Sequence, residues 1–205
     1  MTTLGVNIAQ LIRNGRRGGA AGGPGAETAG LNEVGGFGSN PGGLRMLTYV
    51  PPGLPPRAPL VVVLHGCTQT AAGYDAGAGW SRMADRHGFA VLLPEQVRGN
   101  NANSCFNWFQ APDIARTGGE AESIRQMVAL AVSAHQLDPA RVFVTGLSAG
   151  GGMAAAMLAA YPDVFAGGGI VAGLPYGAAH SMPEAFEAMG GRRIHAPREW
   201  GNLVR

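Results

Sequence analysis

The stretch Arg141-Val-Phe-Val-Thr-Gly-Leu-Ser-Ala-Gly-Gly-Gly-Met153 decides the reading of this chain. Val142 to Thr145 form a β-branched and aromatic run, as a buried strand requires. Gly146-Leu147-Ser148-Ala149-Gly150 follows, and then a segment of small residues suited to a helix packed against a sheet. This is the G-x-S-x-G arrangement of a nucleophile elbow, in which a serine sits on a sharp strand-to-helix turn. Gly146 and Gly150 let strand and helix approach closely. The helix N-terminus then aims its free N–H groups at negative charge developing beside Ser148. The competing reading is a glycine-rich turn with a structural serine, since the chain holds 34 glycines. The strand before the motif and the helix after it favour the nucleophile.

Outward from the elbow, strands alternate with helices. Residues 45–50 read as a strand stopped by Pro51-Pro52-Gly53. Residues 59–64 (Pro-Leu-Val-Val-Val-Leu) form a continuous apolar run, the pattern of a central parallel strand covered on both faces. A helical stretch follows with Trp80, Met83 and Ala84 inward and Gly88 closing it. Residues 90–93 are the next strand. Residues 120–135 form an amphipathic helix, with Ile124, Met127, Val128 and Ala131 at helical spacing. Asp138-Pro139 turns into the strand at Val142, residues 149–161 form the helix after the serine, and 168–172 a further short strand. The alternation predicts a mainly parallel, doubly wound sheet with its site at the carboxyl ends of the strands.

Composition sets bounds. The 205 residues suit one domain, 46% are hydrophobic, and the net charge of +2 argues against a nucleic-acid partner. No apolar run approaches the roughly 18 residues of a membrane span. Near the N-terminus, Leu4, Ile8, Leu11 and Ile12 could share one helical face, followed by Arg13, Arg16 and Arg17. That order is the reverse of a secretory signal. Residues 1–43, dominated by Gly and Ala from 15 onward, are expected to be a flexible lead-in, and 44–205 the folded domain.

His65-Gly66-Cys67-Thr68-Gln69 follows the strand at 60–64. A serine attacking a carbonyl needs two N–H donors for the oxyanion. Ala149 supplies one, and the loop opened by Gly66 supplies the other, from Cys67 or Thr68. His65 is expected to orient that loop by hydrogen bonding rather than to serve as base. The two cysteines, Cys67 and Cys105, could be free thiols, a disulfide or metal ligands, and no His or Cys cluster has ligand spacing. Cys105 lies in a polar loop that turns abruptly aromatic at Phe106.

Several ungapped motifs occur in order: Leu64-His-Gly-Cys-Thr-Gln69, Pro94-Glu-Gln96, Ser104-Cys-Phe-Asn-Trp-Phe109, Gly119-Glu120, Ser123-Ile124 and Val142-Phe-Val-Thr-Gly-Leu-Ser-Ala-Gly-Gly151. From Leu44 onward the chain resembles the polyhydroxybutyrate depolymerase family of esterases, which also embraces feruloyl and acetylxylan esterases. The resemblance implies an α/β-hydrolase fold, carboxylic-ester substrates, a Ser–Asp–His triad and no cofactor or metal. It makes Ser148 the nucleophile, pairs Cys67 with Cys105, and places Asn107 and Trp108 in a loop bordering the cleft. It points to an extracellular or cell-envelope location, with neither nucleic acid nor membrane as partner.

The chain departs from the family at its far end. There, acid and base lie on loops after two later strands, beyond Arg205, so the domain is expected to lack its C-terminal strands. Asp163 lies in a turn ending a helix. A compact triad of Ser148, Glu184 or Glu187, and His195 keeps the chain order, yet no strand precedes those residues to position them. Two readings therefore stay open: a serine carboxylesterase acting on hydroxyalkanoate or aryl esters, or a hydrolase-like fragment unable to turn over.

Overall fold

A computed structural model describes residues 30–204. The possible helix at residues 4–12 and the first part of the lead-in lie outside them. Six strands form one sheet in the order β1-β2-β4-β3-β5-β6: β1 (Asn32–Val34), β2 (Arg45–Tyr49), β3 (Leu60–Leu64), β4 (Ala90–Glu95), β5 (Val142–Leu147) and β6 (Gly167–Val171). The β1/β2 and β2/β4 pairings are antiparallel, and β4/β3, β3/β5 and β5/β6 are parallel. The sheet is thus mainly parallel, as its sequence pattern predicts, with an antiparallel edge.

Alternate residues along the central strands feed opposite faces. Leu60, Val62, Leu64, Leu92 and Val144 pack with Ile124, Met127, Met153 and Met157 on one side. Val63, Val91 and Leu93 pack with Ala71 and Ala84 on the other. Two covered faces explain why β3 and β4 read as unbroken apolar runs. Pro94 is tolerated in β4 because it lies past Leu92, the last rung shared with β3.

Four helices cover the faces: α1 (Ala71–Ala78), α2 (Trp80–His87), α4 (Gly119–Ala134) and α5 (Ala149–Ala160), with a short α3 (Ala111–Ile114) before α4. The stretch read as one helix is two. Thr70 caps α1, its hydroxyl accepting from Gly73 N–H (3.0 Å), and Gly79, left-handed, divides α1 from α2. Ala84 is buried as expected, but Met83 is 42% exposed. One residue of helix is about 100° of rotation, which carries Met83 off the narrow face that Ala84 presents to the sheet.

Residues 30–43 are not a loose lead-in. β1 pairs with β2, Leu31 is buried, and Gly42 N–H donates to Ser123 Oγ (2.8 Å) while Asn40 N–H donates to Gln126 Oε1 (3.0 Å). At Gly42 a Cβ would lie 2.5 Å from the Glu120 Cα, so its glycine serves close packing on α4 rather than flexibility. The folded unit therefore begins upstream of Leu44. After β6 the chain forms α6 (Met182–Met189) and α7 (Pro197–Leu203), joined to the core through Ala178, Ala179, Ala185 and Ala188.

Candidate active site

Ser148 links β5 to α5 with φ 56° and ψ −115°, a conformation that costs a non-glycine residue on the order of 1–3 kcal/mol. Neighbours hold it there. Its N–H donates to Val171 O at 2.9 Å, tying the turn to β6. A Cβ on Gly146 would lie 2.1 Å from Gly150 O, and one on Gly151 2.8 Å from Val171 O. The small residues are thus forced by contact between backbones. The Ser148 side chain is exposed and makes no capping bond to its own helix, which leaves Oγ open to an incoming group. Ala149 opens α5, where N–H groups have no carbonyl one turn back to satisfy them.

The second loop lies against the first. A Cβ on Gly66 would sit 3.6 Å from Ser148 Cβ and 3.4 Å from Leu147 O. Of the two expected donors on this loop, Thr68 is committed elsewhere: its N–H donates to Asn103 O at 2.7 Å. Cys67 N–H has no partner among the described residues. Of the two N–H groups expected as donors, that of Thr68 is thus engaged and that of Cys67 is unpartnered among the described residues. Thr68 itself takes φ 64°, which turns the chain back toward the Asn103 loop.

Cys67 and Cys105 are joined by a disulfide. Their loops therefore meet twice, through the sulfurs and through the Thr68–Asn103 bond. His65 is buried, with Nδ1–H donating to Gly66 O (2.8 Å) and Nε2 accepting from Gln96 N–H (3.1 Å). The backbone donor at Nε2 fixes the proton on Nδ1. Burial lowers the pKa of the ring and outweighs the Gly66 bond, so it is a neutral strut of the loop.

Sequence reading missed the carboxylate beneath this site. Glu120, only 1% exposed, receives Asn107 N–H (2.9 Å), Asn107 Nδ2 (2.8 Å) and Gln96 Nε2. Burial pushes its pKa up to about 8, against the pull of these donors. The available signal was a glutamate one residue into a helix that starts at consecutive glycines. There a carboxylate meets free N–H groups, and it fell on the apolar side of its helix.

Asn107 and Trp108 are both largely buried, and Asn107 lines a hollow together with Gly42, Asn100, Gln110 and Glu120. Both polar ends of the Asn107 side chain are used internally, Nδ2 on Glu120 and Oδ1 accepting from Asn101 Nδ2 (3.0 Å), and the residue is 4% exposed. The Trp108 ring is pressed on α5, where a Cβ on Gly152 would lie 2.7 Å from it. An amide and an indole engaged in this way brace the loop.

The acid and base candidates are engaged away from the serine. Asp163 forms a two-pronged pair with Arg116 (2.7 Å on each side). Glu184 accepts from His180 N–H (2.8 Å), and Arg193 reaches both Glu184 and Glu187. His195 lies by Glu199 (3.6 Å) and edge-on to Trp200. No described residue is hydrogen-bonded to the Ser148 hydroxyl, so the compact triad is not assembled. No helix among the described residues is long and apolar enough to cross a membrane.

Residues 44–197 match the family model described as Esterase PHB depolymerase. The chain is 54% identical over 175 residues to poly(3-hydroxyalkanoate) depolymerase C of Paucimonas lemoignei, covering 85% of this chain and 42% of that protein. It is 35% identical over 183 residues to feruloyl esterase B of Neurospora crassa, covering 86% and 62%. A solved acetyl xylan esterase from Aspergillus awamori superposes with TM-score 0.79 at 29% identity, covering 85% of this chain and 65% of that one. The chain thus spans about half the length of the curated relatives it matches. With its α/β-hydrolase sheet and its serine elbow, the chain belongs to the Esterase PHB depolymerase family.

Proposed function

We propose that this chain carries the nucleophile and oxyanion-binding half of a serine carboxylic-ester hydrolase. Ser148 Oγ attacks the ester carbonyl, the oxyanion is held by the N–H groups of Ala149 and Cys67, and the alcohol leaves to give an acyl-enzyme that water cleaves. The observation that carries this reading is the strained, exposed Ser148 between two loops that each present an unpaired N–H. Donors aimed where charge develops contribute about 3–4 kcal/mol each to such steps. Likeness to the Paucimonas depolymerase favours hydroxyalkanoate esters; feruloyl and acetylxylan-type esters are the second substrate class. The disulfide supports an extracellular or cell-envelope location.

A fluorophosphonate should label Ser148 alone, and Ser148→Ala should abolish labelling with the fold intact. Labelling at another serine would overturn the assignment. The alternative, a hydrolase-like chain that cannot turn over, is favoured by His195 being held at Glu199. Hydrolysis of p-nitrophenyl butyrate above the Ser148→Ala control, lost on His195→Ala, would instead reveal a compact triad.

A further inference from the structure

We infer that Glu120 is a positioning residue for the oxyanion loop, acting through Gln96, His65 and Asn107; this rests on the reading of Cys67 as a donor. Glu120 holds Gln96 Nε2, and Gln96 Nε2 also donates to Cys105 O (3.2 Å). The backbone N–H of the same Gln96 holds His65 Nε2, and His65 Nδ1–H holds Gly66 O. Gly66 precedes Cys67 directly and its own N–H is tied to Gln69 Oε1 (2.7 Å). On the other side Glu120 accepts both Asn107 N–H and Asn107 Nδ2, fixing the loop that bears Cys105. One buried carboxyl group thus anchors both arms that meet at the disulfide.

The geometry gives the arrangement a purpose beyond burial. Cys67 N–H must stay unpaired and still point beside Ser148, which its own hydrogen bonding cannot secure. Its neighbours Gly66 and Thr68 are therefore pinned, Gly66 by His65 and Gln69, Thr68 by Asn103. The disulfide limits how far the two loops part, but sulfurs alone leave the peptide plane of Cys67 free to rotate. Removing an acceptor that serves three donors leaves buried amides unpaired, a larger cost than the net worth of each bond.

The test is amide hydrogen exchange by mass spectrometry on the disulfide-bonded chain, with fluorophosphonate labelling of Ser148 alongside. Glu120→Ala should speed exchange at residues 65–69 and 105–108 by about tenfold or more while the β3 and β5 amides exchange as in wild type. Glu120→Gln, which keeps one of the two acceptor oxygens, should speed exchange in those segments less than Glu120→Ala does. Glu122→Gln, on the same helix but facing Tyr161, should leave them unchanged. Should Glu120→Ala not fold, Gln96→Ala carries the same readout, its loosening confined to these two segments. Unaltered exchange there, or faster exchange spread evenly through β3 and β5, overturns the inference. Loosened loops with undiminished Ser148 labelling would uphold the anchoring and strike down Cys67 as oxyanion donor instead.

Discussion

Gly150 and Leu64 meet backbone to backbone: a Cβ on Gly150 would lie 2.2 Å from the Leu64 carbonyl oxygen and 2.5 Å from that of His65. The first turn of α5 is thereby seated on the end of β3, where the His65–Gln69 loop departs. Glycine to alanine in an open helix stabilises by up to about 1 kcal/mol. Here the sign reverses. Gly150→Ala should cost about 1–3 kcal/mol, as overpacking does, and slow fluorophosphonate labelling by separating the two loops. Urea unfolding and labelling rates check it; an alanine variant as stable as wild type would refute the contact.

The disulfide closes a loop with a sequence separation of 38. Chain-entropy estimates assign such a loop about 4 kcal/mol. The Cys67→Ser/Cys105→Ser double variant should unfold at markedly lower urea, and wild type with a strong reductant should approach the same midpoint. Coincident curves for oxidised and reduced protein would exclude a stabilising bridge.

Glu122 should govern part of the acid response. Hydrogen bonds from Arg125 (2.8 and 2.7 Å), then Tyr161 (2.8 Å) and Gln126 (2.9 Å), lower its pKa to about 2. The unfolded group titrates near ~4.3, so the folded carboxylate contributes stability above that pH and loses it as pH falls through about 2. Glu122→Gln should cost roughly 1 kcal/mol near pH 6 and little near pH 2, read by urea unfolding at both. A cost independent of pH would assign the effect to packing.

β6 pairs only with β5 among the described strands and leaves Ile170 47% and Val171 52% exposed. Unpaired edge groups beside apolar side chains favour association. Residues 1–205 alone should bind a hydrophobic dye and scatter light increasingly with concentration, and Ile170→Lys should reduce both. A monodisperse monomer at high concentration would contradict this.

Local pattern sufficed for the central strands and the elbow. β3 announces itself because a strand flanked on both sides and covered on both faces needs continuous apolar residues, and β5 because its β-branched and aromatic start runs straight into the elbow. Gly146, Ser148 and Gly150 do so because only small neighbours let the turn close. The same rules misplaced Met83, since an eight-residue helix shows too narrow a face for periodicity to resolve. They also misjudged residues 30–43, where glycine marks contact with Glu120 rather than freedom.

What the sequence by itself determined is the α/β order, the nucleophile candidate and the two loops beside it, because each is written in neighbouring residues. Only the tertiary structure bonded Thr68 N–H to Asn103 while leaving Cys67 N–H unpartnered among the described residues, turned Asn107 and Trp108 inward, and set Glu120 beneath the loops. Those outcomes depend on partners far along the chain, such as Asn103 for Thr68. Whether a backbone N–H or a buried carboxyl finds its partner is settled by three-dimensional packing, which local spacing does not encode.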